Sequence, residues 1–246
     1  MAMPKVAYLT IDDAPSGDMR QKIDFLAEKQ IPVVWFCVGD QLAQRSDLVV
    51  YAIQKGGVIG NHTYSHPSCS TLEIETIYDE IRRTDALIDA VYHQAGVARP
   101  AKYFRFPYGD KGAPKPDFMA HYTGAALERK ETIQAFLRAE GFTQPAFAGI
   151  TYAAYQNLGW SADADWLWTY DCLEWSIHSS QPQAGITSLE AVFARMEETV
   201  PAGMRGLNTP GSDEIVLVHD HPETTPYFAA IIQRLLDKGL VFKAVA

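Results

Sequence analysis

Short apolar runs alternate along this chain with longer stretches of helical spacing. Residues 6–11, Val-Ala-Tyr-Leu-Thr-Ile, are apolar almost throughout and end in Asp12-Asp13-Ala14-Pro15. Continuous apolar character predicts a strand buried on both faces, as in a parallel sheet. Residues 16–30 follow with Met19, Ile23, Leu26 and Ala27 at helical spacing. The pattern then repeats: a strand over 33–38, an amphipathic helix over 42–55 closing at Gly56-Gly57, and a third strand over 58–60. A Gly pair just past a helix is a good stop signal. Ser70-Thr71-Leu72-Glu73 has the form of a capping box and predicts a helix to about Ala95. Residues 102–105 make a fourth strand, running into Phe106-Pro107-Tyr108-Gly109.

The second half is less regular. Residues 110–159 are rich in Gly, Pro, Tyr and Phe, with one helical stretch at 128–140 carrying Ile133, Phe136 and Leu137 on one side. Residues 168–171 read as a strand end that continues into Cys172-Leu173-Glu174-Trp175. Thr187-Ser188-Leu189-Glu190 is a second capping-box pattern, opening a helix to about Thr199. Residues 215–218 are an unambiguous buried strand ending in His219-Asp220-His221-Pro222. A last helix at 227–238 stops at Gly239, and a short strand occupies 240–245. This alternation is the α/β signature, in which functional groups lie at strand carboxyl ends.

Length and composition narrow the class. The 246 residues suit one domain spanning 1–246, and 47% hydrophobic with 21% charged residues is ordinary for a globular chain. A formal charge of -9 argues against a nucleic-acid partner, because phosphate binding wants a basic surface. It leaves a neutral sugar or small amide open as substrate. Cys37, Cys69 and Cys172 are odd in number and lack a C-x-x-C pattern, so no disulfide framework is expected. No apolar run is long enough to span a membrane. The doubled start Met1-Ala2-Met3 reads as a vector-derived extension before a native Met3. The expected compartment is the cytoplasm if the chain is complete, and otherwise a secreted or periplasmic setting with the leader removed. The sequence leaves the oligomeric state open.

Three strand ends carry chemistry: Asp12-Asp13, His62 with His66, and Arg105. His62 and His66 lie four apart in Asn61-His62-Thr63-Tyr64-Ser65-His66-Pro67. On a helical turn that spacing puts both imidazoles on one face, within reach of one ion. The acidic pair Asp12-Asp13 ends the first strand. Together they suggest a one-metal hydrolase site built from Asp13, His62 and His66, with coordination positions left for water. Adjacent residues of a regular strand point to opposite faces, so Asp12 and Asp13 can serve one site only if the strand breaks there.

Five segments, in order, resemble the motifs of the polysaccharide deacetylases with NodB homology, carbohydrate esterase family 4. They are Thr-Ile-Asp-Asp-Ala-Pro at 10–15, His-Thr-Tyr-Ser-His at 62–66, Arg-Phe-Pro-Tyr at 105–108, Asp-Cys-Leu-Glu-Trp at 171–175 and Leu-Val-His at 217–219. The resemblance implies a NodB-like distorted (β/α) barrel, usually seven-stranded. It also implies a hydrolase of carbon–nitrogen bonds that removes N-acetyl, or O-acetyl, groups from a polysaccharide or oligosaccharide. Asp13, His62 and His66 would bind a divalent metal, most often Zn2+, with Co2+, Ni2+ or Mn2+ as alternatives. Asp12 would be the general base, Arg105 its tuning partner, the Tyr108 backbone N–H an oxyanion donor and His219 the general acid. Glu174 stands where the family has an Asp that tunes the acid histidine, and Ala14 stands where it has a Gly. Asp171, Trp175 and Leu217 would line the substrate pocket.

Several rivals stay open at the level of sequence. His221 shares a strand face with His219 and competes for its role. Asp163 and Asp165 mimic the fourth motif but precede a strand. Trp160, Trp166, Tyr152 and Tyr155 could stack on sugars or simply pack. Other readings of the same site are hydrolysis of a small non-sugar amide or cyclic imide, and an inactive carbohydrate-binding protein.

Overall fold

The computed structural model describes residues 5–199 and 206–245; Met1-Ala2-Met3, the start read above as a vector-derived extension, lies outside them. Strands β1 (Lys5–Ala14), β2 (Val33–Cys37), β3 (Val58–Asn61), β4 (Tyr170–Asp171), β5 (Glu214–His219) and β6 (Leu240–Phe242) form a parallel sheet. Its order is β3-β2-β1-β5-β4, with β6 on β1 below β2.

The open side, between β3 and β4, is closed by irregular chain. Asn61 N donates to Tyr103 O at 2.8 Å, and Arg105 N to Asn61 O at 3.0 Å. Trp166 N then donates to Phe104 O at 2.9 Å, and Thr169 N to Ile215 O at 3.0 Å. These bonds complete a distorted (β/α) barrel. The fourth strand read over 102–105 is therefore present as a rung of the barrel, but only as isolated bridges. Six strands, rather than seven, are regular among the described residues.

Side-chain alternation explains why β2 is apolar at every position. Val33, Trp35 and Cys37 point outward into one core cluster with residues of helices α1 (Met19–Glu28), α3 (Ser46–Gln54) and α8 (Thr225–Asp237). Val34 and Phe36 point inward to Tyr103, Trp166 and Ile215. Gly60 of β3 faces Phe36 so closely that a Cβ would come within 2.6 Å of its ring. This close approach sets where the histidine loop leaves the sheet.

The helices correct several sequence expectations. The stretch 42–55 is two helices, α2 (Gly39–Gln44) and α3, broken at Arg45. Ser70 is not an N-cap: Cys69–Thr71 is a 3-10 turn and α4 (Ile74–Ala95) starts after Glu73, which makes no side-chain cap bond. Ser70 N is instead held by Asp110 Oδ2 at 2.8 Å. In the second capping box the cap is Ser188, one residue later than expected, accepting from Ala191 N at 3.2 Å to open α7 (Leu189–Met196). The irregular region holds α5 (Gly124–Ala139) and α6 (Ala153–Asn157). Trp160, Trp166, Tyr152 and Tyr155 are all buried, so they pack and do not face a ligand.

Candidate active site

All five motif segments reach the carboxyl end of the barrel. There they line a cleft of about 790 Å³ that contains Asp12, Asp13, His62, His66, Tyr108, Asp171, Trp175, Leu217, His219 and His221.

β1 breaks where its two acids diverge. Asp13 takes φ +65°, and the β1–β2 register shifts between Ile11 and Ala14. Asp is among the few side chains that tolerate this left-handed conformation. The twist lets both carboxylates face the cleft. The left-handed residue is Asp13, so Ala14 needs no glycine-like freedom.

Asp12 Oδ1 accepts from Arg105 Nη1 at 2.7 Å, and both residues are buried. Arg105 also donates to Thr10 Oγ1 at 2.9 Å and lies over the Phe36 ring at 4.3 Å. This fixes Asp12 Oδ2 beside His62 Nε2, at 3.7 Å.

His62 and His66 do not share a helical turn, contrary to the spacing argument. They sit on a loop with left-handed residues at Thr63 and His66, and their rings converge to 5.0 Å between centroids. His62 Nδ1–H donates to the Arg105 carbonyl at 2.8 Å, which turns its Nε2 lone pair toward Asp13. His62 Nε2 and His66 Nε2 approach Asp13 Oδ1 at 3.5 and 3.0 Å. That buried oxygen has no hydrogen-bond partner. Three ligand atoms within 4.8 Å of one another, one of them orphaned, fit a divalent cation. Burial opposes ionisation of Asp13, but His221, His62 and His66 together hold its carboxyl well below the usual range. Burial likewise opposes charge on His62, while Asp12 and Asp13 push its pKa up.

Across the cleft, Asp171 Oδ1 accepts from Leu173 N at 2.8 Å, and Leu173 turns at φ +58° to bring Glu174 beneath β5. Glu174 Oε1 accepts from the His219 backbone N and from His219 Nδ1–H, the latter at 3.2 Å. Burial resists protonation of His219, yet Glu174 and Asp171 push it up to about 10. Burial, reinforced by the Glu174 charge, pushes Asp171 up to about 6 against the pull of His219. Trp175 meets His219 edge-on at 6.1 Å.

Some cleft residues carried no sequence signal. Phe118, Trp168, Gln41, Arg45, Gln183 and Arg195 line it from outside the motifs. Asp163 and Asp165, the mimics of the fourth motif, are instead buried in ion pairs. Lys111 reaches them at 2.9 and 2.7 Å, and Lys130 reaches Asp163 at 2.6 Å. His221 does not compete with His219: its Nε2–H donates to Asp13 Oδ2 at 2.7 Å.

Residues 2–122 match the family model described as polysaccharide deacetylase. The chain belongs to the polysaccharide deacetylase family. Among curated members, it is 33% identical over 97 residues to a chitooligosaccharide deacetylase of Rhizobium leguminosarum bv. trifolii, covering 39% of this chain and 45% of that one. It is 23% identical over 241 residues to a peptidoglycan-N-acetylglucosamine deacetylase of Bacillus cereus, covering 98% and 69%. The matched stretches span less than half the length of the first of these relatives. The fold is that of a family 4 carbohydrate esterase from Streptomyces lividans solved with acetate, at TM-score 0.61, 23% identity and 98% and 93% coverage. It is shared also by a family pseudoenzyme from Bacillus anthracis, at TM-score 0.59, 18% identity and 99% and 64% coverage. The polysaccharide deacetylase fold thus occurs with and without activity, and what separates the two lies in the site.

Proposed function

We propose that this chain is a metal-dependent hydrolase that removes N-acetyl groups from an acetylated glycan. The observation that carries the reading is the convergence of Asp13, His62 and His66 between two hydrogen-bonded dyads, Arg105–Asp12 and Glu174–His219. An amide is a poor electrophile with a poor leaving group, so its hydrolysis needs activation on both sides of the scissile bond. A divalent cation such as Zn2+, held by Asp13, His62 and His66, supplies Lewis-acid polarisation when bound.

The chain's own groups do the rest. Asp12, oriented by Arg105, takes a proton from the attacking water. The Tyr108 backbone N–H helps hold the developing oxyanion. His219 Nδ1–H is engaged by Glu174, which leaves Nε2 to hand a proton to the departing amine. Trp175, Leu217 and Asp171 wall the pocket for the acyl group and its sugar. The test is acetate release from a panel of N- and O-acetylated glycans, before and after chelation and after Zn2+ is restored. Metal-reversible release from N-acetylated oligomers is the expected result, and a metal-replete protein inert on every member refutes the reading.

One observation favours a second reading, hydrolysis of a small amide or cyclic imide. The Arg45 guanidinium lines the same cleft and has no ion-pair partner among the described residues. A free cation there suits a substrate bearing a carboxylate. Including carboxylated amides and cyclic imides in the panel separates the two.

A further inference from the structure

We infer that His221 is a positioning residue that presents Asp13 to the cation through one oxygen only. The inference rests on the metal-site reading above. No motif of the sequence includes His221, and it follows His219 on the same side of the strand end, with ring centroids 5.6 Å apart.

The two histidines divide the site between them. His219 turns to Glu174, and His221 turns to Asp13. A carboxylate only accepts hydrogen bonds, so the 2.7 Å contact from His221 Nε2 to Asp13 Oδ2 puts a proton on that nitrogen. The protonated Nε2 has no lone pair to offer a metal, and Oδ2 is occupied. Oδ1, facing His62 and His66, is left buried and unpartnered. His221 thereby selects the ligating oxygen, as a hydrogen-bond partner one layer out from a metal commonly does.

The backbone beneath His221 is built for this task. Its carbonyl accepts from Lys22 Nζ at 3.2 Å, Thr224 Oγ1 at 3.0 Å and Thr225 Oγ1 at 3.3 Å. The preceding Asp220 is buried and accepts from Ser16 N at 2.7 Å, Ser16 Oγ at 2.8 Å and Lys22 Nζ at 2.7 Å. Asp220 N donates back to Asp12 O at 2.8 Å. The loop after β1 and the loop after β5 are thus laced together, with the His221 ring held against the Asp13 carboxylate.

The experiment measures Zn2+ affinity by chelator competition for the parent, His221→Leu and His221→Gln, with circular dichroism to verify folding. Loss of the donor in His221→Leu should weaken Zn2+ by about 10–100-fold. His221→Gln, whose amide N–H can reach the same oxygen, should recover most of that loss. Equal affinity in the parent and His221→Leu overturns the inference, as does a Gln variant no better than Leu. Long-range proton–nitrogen NMR of the Zn2+-loaded parent tests it without any variant. A proton on His221 Nε2 supports the role, and a metal-shifted Nε2, making His221 a direct ligand, overturns it. A parent that binds no Zn2+ overturns the metal reading itself, an outcome distinct from all of these.

Discussion

Asp12 and Asp13 differ by one position and by almost everything else. Asp12 is tied to a buried guanidinium, whereas Asp13 is twisted to φ +65° among three imidazoles. Asp12→Asn should therefore lower turnover by at least about 100-fold, the contribution typical of a lost general base, while Zn2+ still binds. His62→Ala should lose both. Parallel measurements of acetate release and metal content check this, and a fully active Asp12→Asn protein contradicts the role of Asp12. At His219 the sign is set by the raised pKa. Its pairing with Glu174 contributes fully below the unfolded value of roughly 6.5 and is lost as pH rises through about 10. An acid with that pKa stays protonated through neutrality, so the alkaline limb of the pH–rate profile should lie near 10. Glu174→Gln removes the main charge that raises His219 and should shift that limb to lower pH. That these residues converge was legible because the motifs that resemble the family's lie at or just after the rungs of the barrel, where local sequence and site coincide. His221 was not, because i and i+2 on one strand face are equivalent until their partners are known.

At the scale of elements, the misread positions are those where tertiary bonds outcompete local ones. Ser70 has the sequence of a cap, but Asp110 captures its N–H and the helix starts later. That leaves Glu73 at the α4 N-cap in extended geometry, φ -66° and ψ 147°, with no side-chain bond. Glu73→Ser should supply the missing acceptor and stabilise the protein by about 1 kcal/mol in chemical denaturation. The segment 110–159 was the least readable, since its order comes from charges far apart in sequence. Lys111 is fully buried between Asp163 and Asp165, and Gln134 Nε2 donates to Asp165 Oδ1 at 2.6 Å. Lys111→Met leaves these carboxylates without their shared cation and should cost roughly 3–5 kcal/mol, read from the same denaturation curves. The residues 102–105 were read as a strand from their apolar pattern. Their place in the barrel was right, and only the regular ladder was missing.

For the molecule as a whole, the α/β class with a parallel sheet followed from the strand–helix alternation and the barrel from the family resemblance, whereas the aromatic wall of Phe118 and Trp168 had no such signal, because packing across the cleft leaves no periodic trace. The cation site joins β1 to the loop after β3, so metal should stabilise the entire fold. At a free Zn2+ concentration about 100 times its dissociation constant, mass action gives ~2.7 kcal/mol. For a chain of this size that corresponds to a rise in Tm of roughly 5–10 °C, which a thermal melt with and without chelator will show. Another whole-molecule property follows from the cysteines. Cys37, Cys69 and Cys172 are each 0% exposed, and burial pushes every one of their thiols up in pKa. An alkylating dye should accordingly ignore the native protein and label three sites once it opens. The chain thus carries its own unfolding reporter, and a single thiol placed on its surface would be the only handle for attaching a fluorophore or a bead.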